Sequence, residues 1–415
     1  MKFKNYGLAL TLIIFFFSCS TEQSDNSTYE KLSQGRYGGT HDEEFSSSTS
    51  TSDGGQIILA KTFSNDGDVI GNLPTSLSNL AIWIIKLNSK CEIEWKKTYG
   101  GSNTEIGDKI IQTKDGGYLF SALITSTDGN LLPVDSSQPP SYNGVNILLV
   151  KIDAFGEIQW QKVTSYSNDV ILDIIQTEDG GYLYNSYFSL NKVDANANLI
   201  WTKSLDFYCY NIYQLADRSI ILSGCINSNE YFNTTGIIAK TDAGGNILWK
   251  NTYEKTLPLK VIESIDGGLL AVGRSNNKNV PVYSNNTYVN NIIETAAYPW
   301  VGKLNLSGSL EWEKAFGLKS GPTEIVTDIV SIENGYIVGG YSDDFWILNI
   351  DKLGNFINQK KFGGSDNDIL NRINIGQNGT MFLTGTTQSK DRDLKNTNSH
   401  GNFNTDIWTL NIKIN

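Results

Sequence analysis

One pattern returns six times along the chain and leaves few folds open to it. It reads KLNSKCEIEWKKTYGG (86–101), KIDAFGEIQWQKVTSY (151–166), KVDANANLIWTKSL (192–205), KTDAGGNILWKNTY (240–253), KLNLSGSLEWEKAFG (303–317) and NIDKLGNFINQKKFGG (349–364). Each copy is an alternating apolar and polar segment, a polar turn, and a second alternating segment, which is the signature of a β-hairpin. The second segment carries Trp95, Trp160, Trp201, Trp249 or Trp312, with Asn358 in the sixth copy. A different hairpin alternates with the first. It reads STSTSDGGQIILA (48–60), IIQTKDGGYLFSAL (110–123), IIQTEDGGYLYNSY (174–187), QLADRSIILSG (214–224), VIESIDGGLLAVG (261–273), VSIENGYIVGG (330–340) and NIGQNGTMFLTG (374–385). Asp-Gly and Asn-Gly between such runs favour tight turns with positive φ, which glycine supplies without strain.

Each repeat therefore supplies four short antiparallel strands, A to D, joined by an A–B turn of the Asp-Gly-Gly kind and a C–D turn of the Asp/Asn-x-x-Gly kind. The chain ends on a lone strand C, DIWTLNIKIN (406–415), with no strand D after it. The missing strand is found at the other end. SQGRYGGT (33–40) has the form of WKKTYGGS (95–102) and NQKKFGGS (358–365), which follow a strand D. The expectation is an all-β chain forming a single seven-bladed β-propeller over residues 31–415. Residues 33–38 are then the outermost strand of the blade containing 368–375, 380–387 and 406–414. Closing the ring removes exposed sheet edges. A β-sandwich or an open solenoid would have no need for complementary ends.

Composition agrees with this. Apolar residues are 39%, aromatics 11% and charged residues 19% of 415 residues, a balance that leans to an exported all-β protein. The net charge of −11 repels phosphate backbones and argues against a nucleic-acid partner. The N-terminus reads as a targeting segment: Lys2 and Lys4, an apolar run from Leu8 to Phe17, then Ser18 and Cys19. That run is about half the ~20 residues of a membrane span. Residues 1–18 are assigned as a lipoprotein signal peptide, Cys19 as the lipid-bearing residue, and 19–30 as a flexible tether. The membrane is then a partner through the lipid, and the location is the outer membrane, on its periplasmic or cell-surface side.

The repeat resembles the lipoprotein propeller repeats common in Bacteroidetes, whose unit runs DGDxxGN, then WxxKLDxxGxIxW, then KTYGGS and TxDGGY. The matching residues here include Asp66, Gly67, Asp68, Gly71 and Asn72, then Trp83, Lys86, Trp95, Tyr99, Gly100 and Gly101, and finally Asp115, Gly116, Gly117 and Tyr118. The likeness covers nearly all of 31–415 and implies a fold rather than an activity. The repeat is also distantly similar to quinoprotein-like and outer-membrane-assembly propellers, in which Trp docks between blades. Quinone-dependent members need a calcium-ligand set and commonly a vicinal Cys pair, neither of which is visible in this sequence.

The long segments, 64–80, 126–145, 274–297 and 388–405, all fall in B–C loops and should share one face, where binding usually resides. In SNDGDVIGN (64–72), Asp66, Asp68 and Asn72 are spaced to offer oxygen ligands to Ca²⁺, although the distal Glu of an EF-type loop is missing. No other cofactor is expected. The chain has two His, His41 and His400, on loops of one face at the ring closure. Carboxylate pairs occur at Asp343–Asp344 and Asp366–Asp368. Cys209 and Cys225 flank the turn at Asp217 and read equally as a disulfide across strands A and B or as two buried free thiols. In PVYSNNTYVNNIIETAAYPW (281–300), Tyr283, Tyr288 and Tyr298 are the candidate contacts for a sugar or peptide. With no catalytic constellation assigned, the expected function is a non-catalytic binding or scaffold lipoprotein, with a glycan or protein partner. The alternative is a polysaccharide hydrolase or lyase using loop carboxylates.

Overall fold

The computed structural model of the chain describes residues 28–69, 80–131, 145–165, 170–226, 234–289, 296–317, 324–400 and 404–415. The described residues are all-β, with three short 3₁₀ turns and no α-helix. No helix among them is long and apolar enough to cross a membrane.

Five sheets have four antiparallel strands and a sixth has ten. The four-stranded ladders run 43–99, 105–165, 173–204 and 325–362, and Asp368–Ile375, Thr380–Thr387 and Asp406–Ile414 with Tyr29–Tyr37. The ten-stranded sheet contains two antiparallel ladders, 208–254 and 256–316, that touch through the single parallel pair Thr235↔Thr256. Its remaining strands, Val282–Ser284 and Thr287–Tyr288, form a small hairpin on the outer edge. Strand A of each ladder packs on strand A of the next, and Asp368–Ile375 packs on Glu43–Ser50, so the succession closes on itself. The arrangement is consistent with a β-propeller whose axis is lined by the A strands.

The turns form for local reasons. In the A–B turn at 113–117, the Thr113 carbonyl accepts from Gly116 N–H at 2.9 Å, and Gly116 takes φ +83°. In the C–D turn at 153–157, Asp153 Oδ1 accepts the N–H groups of Phe155 and Glu157, both at 2.8 Å, and Gly156 takes φ +82°. Cys91 and Ala197 occupy that glycine position in two other ladders, with φ of 61° and 59°. This glycine also leaves room for the repeated Trp of the preceding ladder. A Cβ at Gly156 would stand 3.0 Å from Trp95, one at Gly245 2.9 Å from Trp201, and one at Gly354 2.6 Å from Trp312. Trp95 Nε1 also donates to the Ala154 carbonyl at 2.9 Å, and Trp249 Nε1 to Leu306 at 3.2 Å. The repeated Trp is thus the bolt between neighbouring ladders.

The first strand pairs with the last, as the unequal hairpin counts require. Its register runs from Tyr29↔Ile414 to Tyr37↔Ile407. The strand begins at Tyr29 rather than at Ser33, so the ordered domain takes in the end of the expected tether. The reason is burial: the Tyr29 ring packs into the core with Ile412 and Met381.

Candidate functional site on the loop-bearing face

The B–C segments and the D–A connections meet on one face, and there the sequence builds the same clasp three times. In the first, Gly39 N–H donates to Glu43 Oε2 at 3.0 Å, Thr40 N–H to Asp66 Oδ1 at 2.8 Å, and His41 N–H to Ser64 Oγ at 2.9 Å. The second copy uses Gly101 with Glu105, Ser102 with Asp128, and Asn103 with Ser126, at 2.8, 2.6 and 2.8 Å. The third uses Gly364 with Asp368, Ser365 with Asp391, and Asp366 with Ser389, at 2.8, 2.8 and 3.0 Å. In each, the loop leaving strand D of one ladder is held by a Ser-x-Asp-x-Asp/Asn segment of the next. The three clasps are consecutive and straddle the closure. Their spacing was readable in the sequence as the pairing of Gly-Gly-Ser/Thr with Ser-x-Asp, but only the fold shows that the two halves meet.

This places the residues put forward for calcium. Asp66 Oδ1 accepts the Thr40 N–H, and Asp68 Oδ2 is 3.4 Å from Gly38 N and from His400 Nε2. Asn72 lies outside the described residues. Among those residues no group of three or more His, Cys, Asp or Glu is placed to hold a metal ion. The two His do share this face. His41 is tied through its backbone, while His400 Nδ1 lies 3.6 Å from Asp406. The bond to Asp406 raises the His400 pKa above its ordinary 6.5.

The remaining carboxylates of the repeat have structural partners. The strand-C lysine reaches the A–B turn aspartate of its own ladder: Lys86–Asp53 at 2.8 Å, Lys151–Asp115 at 2.9 Å, Lys192–Asp179 at 2.8 Å, Lys240–Asp217 at 3.2 Å and Lys303–Asp266 at 3.1 Å. Partial burial opposes ionisation of Asp179, yet the Lys192 ammonium and Thr177 hydroxyl draw it down to about 2. Two of the clasp acids go the other way. Burial pushes Glu43 up to about 7 and Asp368 up to about 6. Of the pairs noted in the sequence, Asp344 and Asp368 both face Gly363, but the oxygens of Asp368 are taken by Thr387, Ser389 and Gly364.

The three tyrosines are not brought together as a contact surface. Tyr298 is fully buried in the core beside Val282 and Trp300, which removes it from any exposed site. Its strand, Tyr298–Leu304, is an inner strand of its ladder, and all seven of its residues are buried. Tyr283 and Tyr288 face each other on the outer hairpin, edge to face with centroids 6.0 Å apart, and Tyr288 is 56% exposed. The hairpin folds against the rim, where Asn286 exchanges two hydrogen bonds with the backbone of Phe356 in the next ladder, at 3.0 and 2.9 Å. It fills the groove between those two ladders down to about 90 Å³. The matching groove between 43–99 and 105–165 has a volume of about 510 Å³ among the described residues. Trp83 and Tyr99 form its floor, with Lys96, Lys97, Asn130 and Glu157 around them. Tyr99 donates to the Gly156 carbonyl at 2.6 Å and ties the two ladders beneath the groove.

Cys209 and Cys225 are buried free thiols, which corrects the disulfide alternative. Cys225 stands opposite Tyr208 and Cys209 opposite Gly224, so the offset of one residue sends the two side chains to opposite faces of the sheet. Cys209 Sγ instead contacts the Asn211 carbonyl at 3.6 Å, and Cys225 Sγ the Tyr210 hydroxyl at 3.2 Å. Cys19 lies outside the described residues.

These features define an all-β repeat protein built of four-stranded antiparallel ladders and consistent with a propeller. No protein-family model matches the chain. No curated protein matches it either. Its fold is similar to that of BBS1N in complex with ARL6DN, with a TM-score of 0.52 at 7% identity over 94% of this chain and 97% of that one. Two other solved structures are a protein of unknown function from Dyadobacter fermentans and BamB from Moraxella catarrhalis. The first has a TM-score of 0.46 at 12% identity over 94% of this chain and 100% of that one. The second has a TM-score of 0.44 at 12% identity, over 92% and 97%.

Proposed function

We propose that this chain is a seven-bladed propeller, lipid-anchored through Cys19 at the outer membrane, that binds a glycan or protein partner and does not transform it. The ten-stranded sheet counts as two blades. Each of its ladders has its own A–B and C–D turns, and Trp249 of one bolts onto the Gly308 turn of the other. The observation that carries the binding reading is the open groove between 43–99 and 105–165. It is lined by Lys96, Lys97, Asn130 and Glu157 on a rigid scaffold, polar groups that suit sugar hydroxyls and peptide amides. The clasp acids join neighbouring blades and the strand-C lysines brace the A–B turns of their own blades, so their recurrence is explained without chemistry on a substrate.

The test is a glycan and peptide array probed with the purified protein, then repeated with Lys96→Glu/Lys97→Glu. Selective binding that falls at least tenfold in the double variant is expected. Turnover of a polysaccharide, or binding that the double variant leaves unchanged, would overturn the groove reading. Metabolic labelling with a palmitate analogue tests the anchor separately: Cys19→Ala is expected to lose the label.

A further inference from the structure

Each A strand presents one residue at an equivalent place on the axis. In most of these strands a β-bulge marks it, falling between Phe45 and Ser47, Gly107 and Ile110, Cys209 and Asn211, Pro258 and Lys260, Val326 and Asp328, and Leu370 and Arg372. A bulge bends the strand and re-aims the next side chain. In the strand Asp173–Gln176 the equivalent residue is Asp173, which begins the ladder. In ring order the positions are Ser47, Lys109, Asp173, Asn211, Lys260, Asp328 and Arg372. All are polar, although the strands 256–263, 325–332 and 368–375 are otherwise rich in apolar residues.

The ring is satisfied on one side and open on the other. Lys109 Nζ is 3.0 Å from Asp173, whose other oxygen accepts from Asn211 Nδ2 at 2.7 Å. Asn211 Oδ1 in turn accepts the Val261 N–H at 2.9 Å. Lys260 pairs with Asp328. Arg372 reaches that same carboxylate only at 3.7 Å, which leaves its planar set of donors largely unspent. Between Arg372 and Lys109 the ring holds Ser47, which is 3% exposed and whose Oγ has no hydrogen-bond partner. No carboxylate stands at a ring position on that arc. Asp108, just before Lys109, takes part of its charge and that of Lys61. Lys109, Lys260 and Arg372 are close enough to act on one another, and burial with this mutual repulsion lowers the pKa of both lysines. Their side chains keep 16%, 16% and 27% exposure, so water and small ions reach them.

We propose that the axial channel binds a small tetrahedral oxyanion, of the phosphate or sulfate class, on Ser47, Lys109 and Arg372, with Lys260 beside it. A buried hydroxyl without a partner is costly, and so is a guanidinium held near two ammonium groups. One anion relieves both: it accepts from Ser47 and bridges the cations that flank it. The site is separate from the outer groove and does not depend on it.

The test is isothermal titration of the purified protein with inorganic phosphate and with sodium sulfate, in a zwitterionic buffer at constant ionic strength set with sodium chloride. Saturable binding of one equivalent is expected. Ser47→Ala is the deciding variant, because it removes a hydroxyl with no partner and so keeps the fold; it should weaken binding at least threefold. Arg372→Gln should weaken it at least tenfold, and Lys203→Ala on the outer surface should leave it unchanged. No saturable heat with either anion, or unchanged affinity in Ser47→Ala, overturns the proposal.

Discussion

Replacing Arg36 by Met removes one half of an ion pair that ties the first strand to the last. Arg36 Nε bonds Asp406 Oδ2, with both side chains fully buried, and Arg36 Nη1 donates to the Ser389 carbonyl at 2.6 Å. Removing one partner of a buried pair leaves the other charged and desolvated, which typically costs about 3–5 kcal/mol. His400 softens this in part, since its N–H is 3.3 Å from Asp406 Oδ2 and its ring can carry a proton. The intact pair is itself imperfect: Arg36 Nη2 and Asp406 Oδ1 have no hydrogen-bond partners. Its net worth is therefore well below the cost of breaking it, and Arg36→Met/Asp406→Leu should cost less than the two single changes added together. A coupling energy of at least about 2 kcal/mol is expected. The assay is equilibrium unfolding in guanidinium chloride at pH 7, comparing wild type, both single variants and the double. A loss below about 1 kcal/mol for Arg36→Met, or additive losses in the double, would refute the claim that this pair locks the ring closure.

The clasps and the titrating acids give two more expectations. Asp391→Ala should cost about 0.5–1.5 kcal/mol by removing the acceptor of the exposed Ser365 N–H, and Asp66→Ala should cost about the same whether or not millimolar Ca²⁺ is present. A melting temperature that Ca²⁺ raises in wild type but not in Asp66→Ala would restore the metal reading of that loop. Stability should also fall as pH rises from about 4.5 to 7.5. Burial raises Glu43 to about 7 and Asp368 to about 6, and the bond to Asp406 raises His400, so in this window the folded chain holds more protons than the unfolded one. Unfolding free energy then has a negative slope in pH, about 1.4 kcal/mol per unit for each excess proton. Below pH 4 the sign reverses, as Asp179 and the other turn aspartates, lowered by their lysines, begin to protonate. Guanidinium unfolding across this range should show the decline, with Glu43→Gln flattening its upper part; a flat or rising wild-type profile would refute the assignment.

Much of the architecture was legible because it is local and repeated. The Asp-Gly-Gly turns, the alternation on either side of them and the Trp on strand D each follow from one stretch of chain, and seven turns against six showed that the ends must complement one another. The start at Tyr29 was missed because YEKL carries no turn or motif to mark it; the tertiary partner, Ile414, draws the strand back to that residue. Tyr298 was misread for a related reason. A Tyr in an Asn-rich loop looks available, but YPWVGKL is strand C of its ladder, and strand C lies between two neighbours. The Cys pair turned on register, where a shift of one residue reverses the face, and symmetric spacing about Asp217 cannot detect the bulge between Cys209 and Asn211.

The candidate sites were the least legible part, and the reason lies in how a closed repeat array distributes its polar groups. Asp66 recurs in three clasps, and Asp115 and Lys86 in five turn pairs, so recurrence in sequence reports construction. A binding site is where the repeat is broken or where equivalent positions differ. The grooves beside Tyr99 and beside Tyr283 are equivalent places in the repeat, yet they differ in volume, about 510 against 90 Å³ among the described residues. The axial ring has a vacancy in its bonding because Ser47 stands where the other blades place Lys, Asp, Asn or Arg. Neither difference has a motif. Each becomes visible only when the copies are superposed by register, and then the odd member of the set, rather than the conserved-looking one, marks the place where a partner can add something the fold does not already supply.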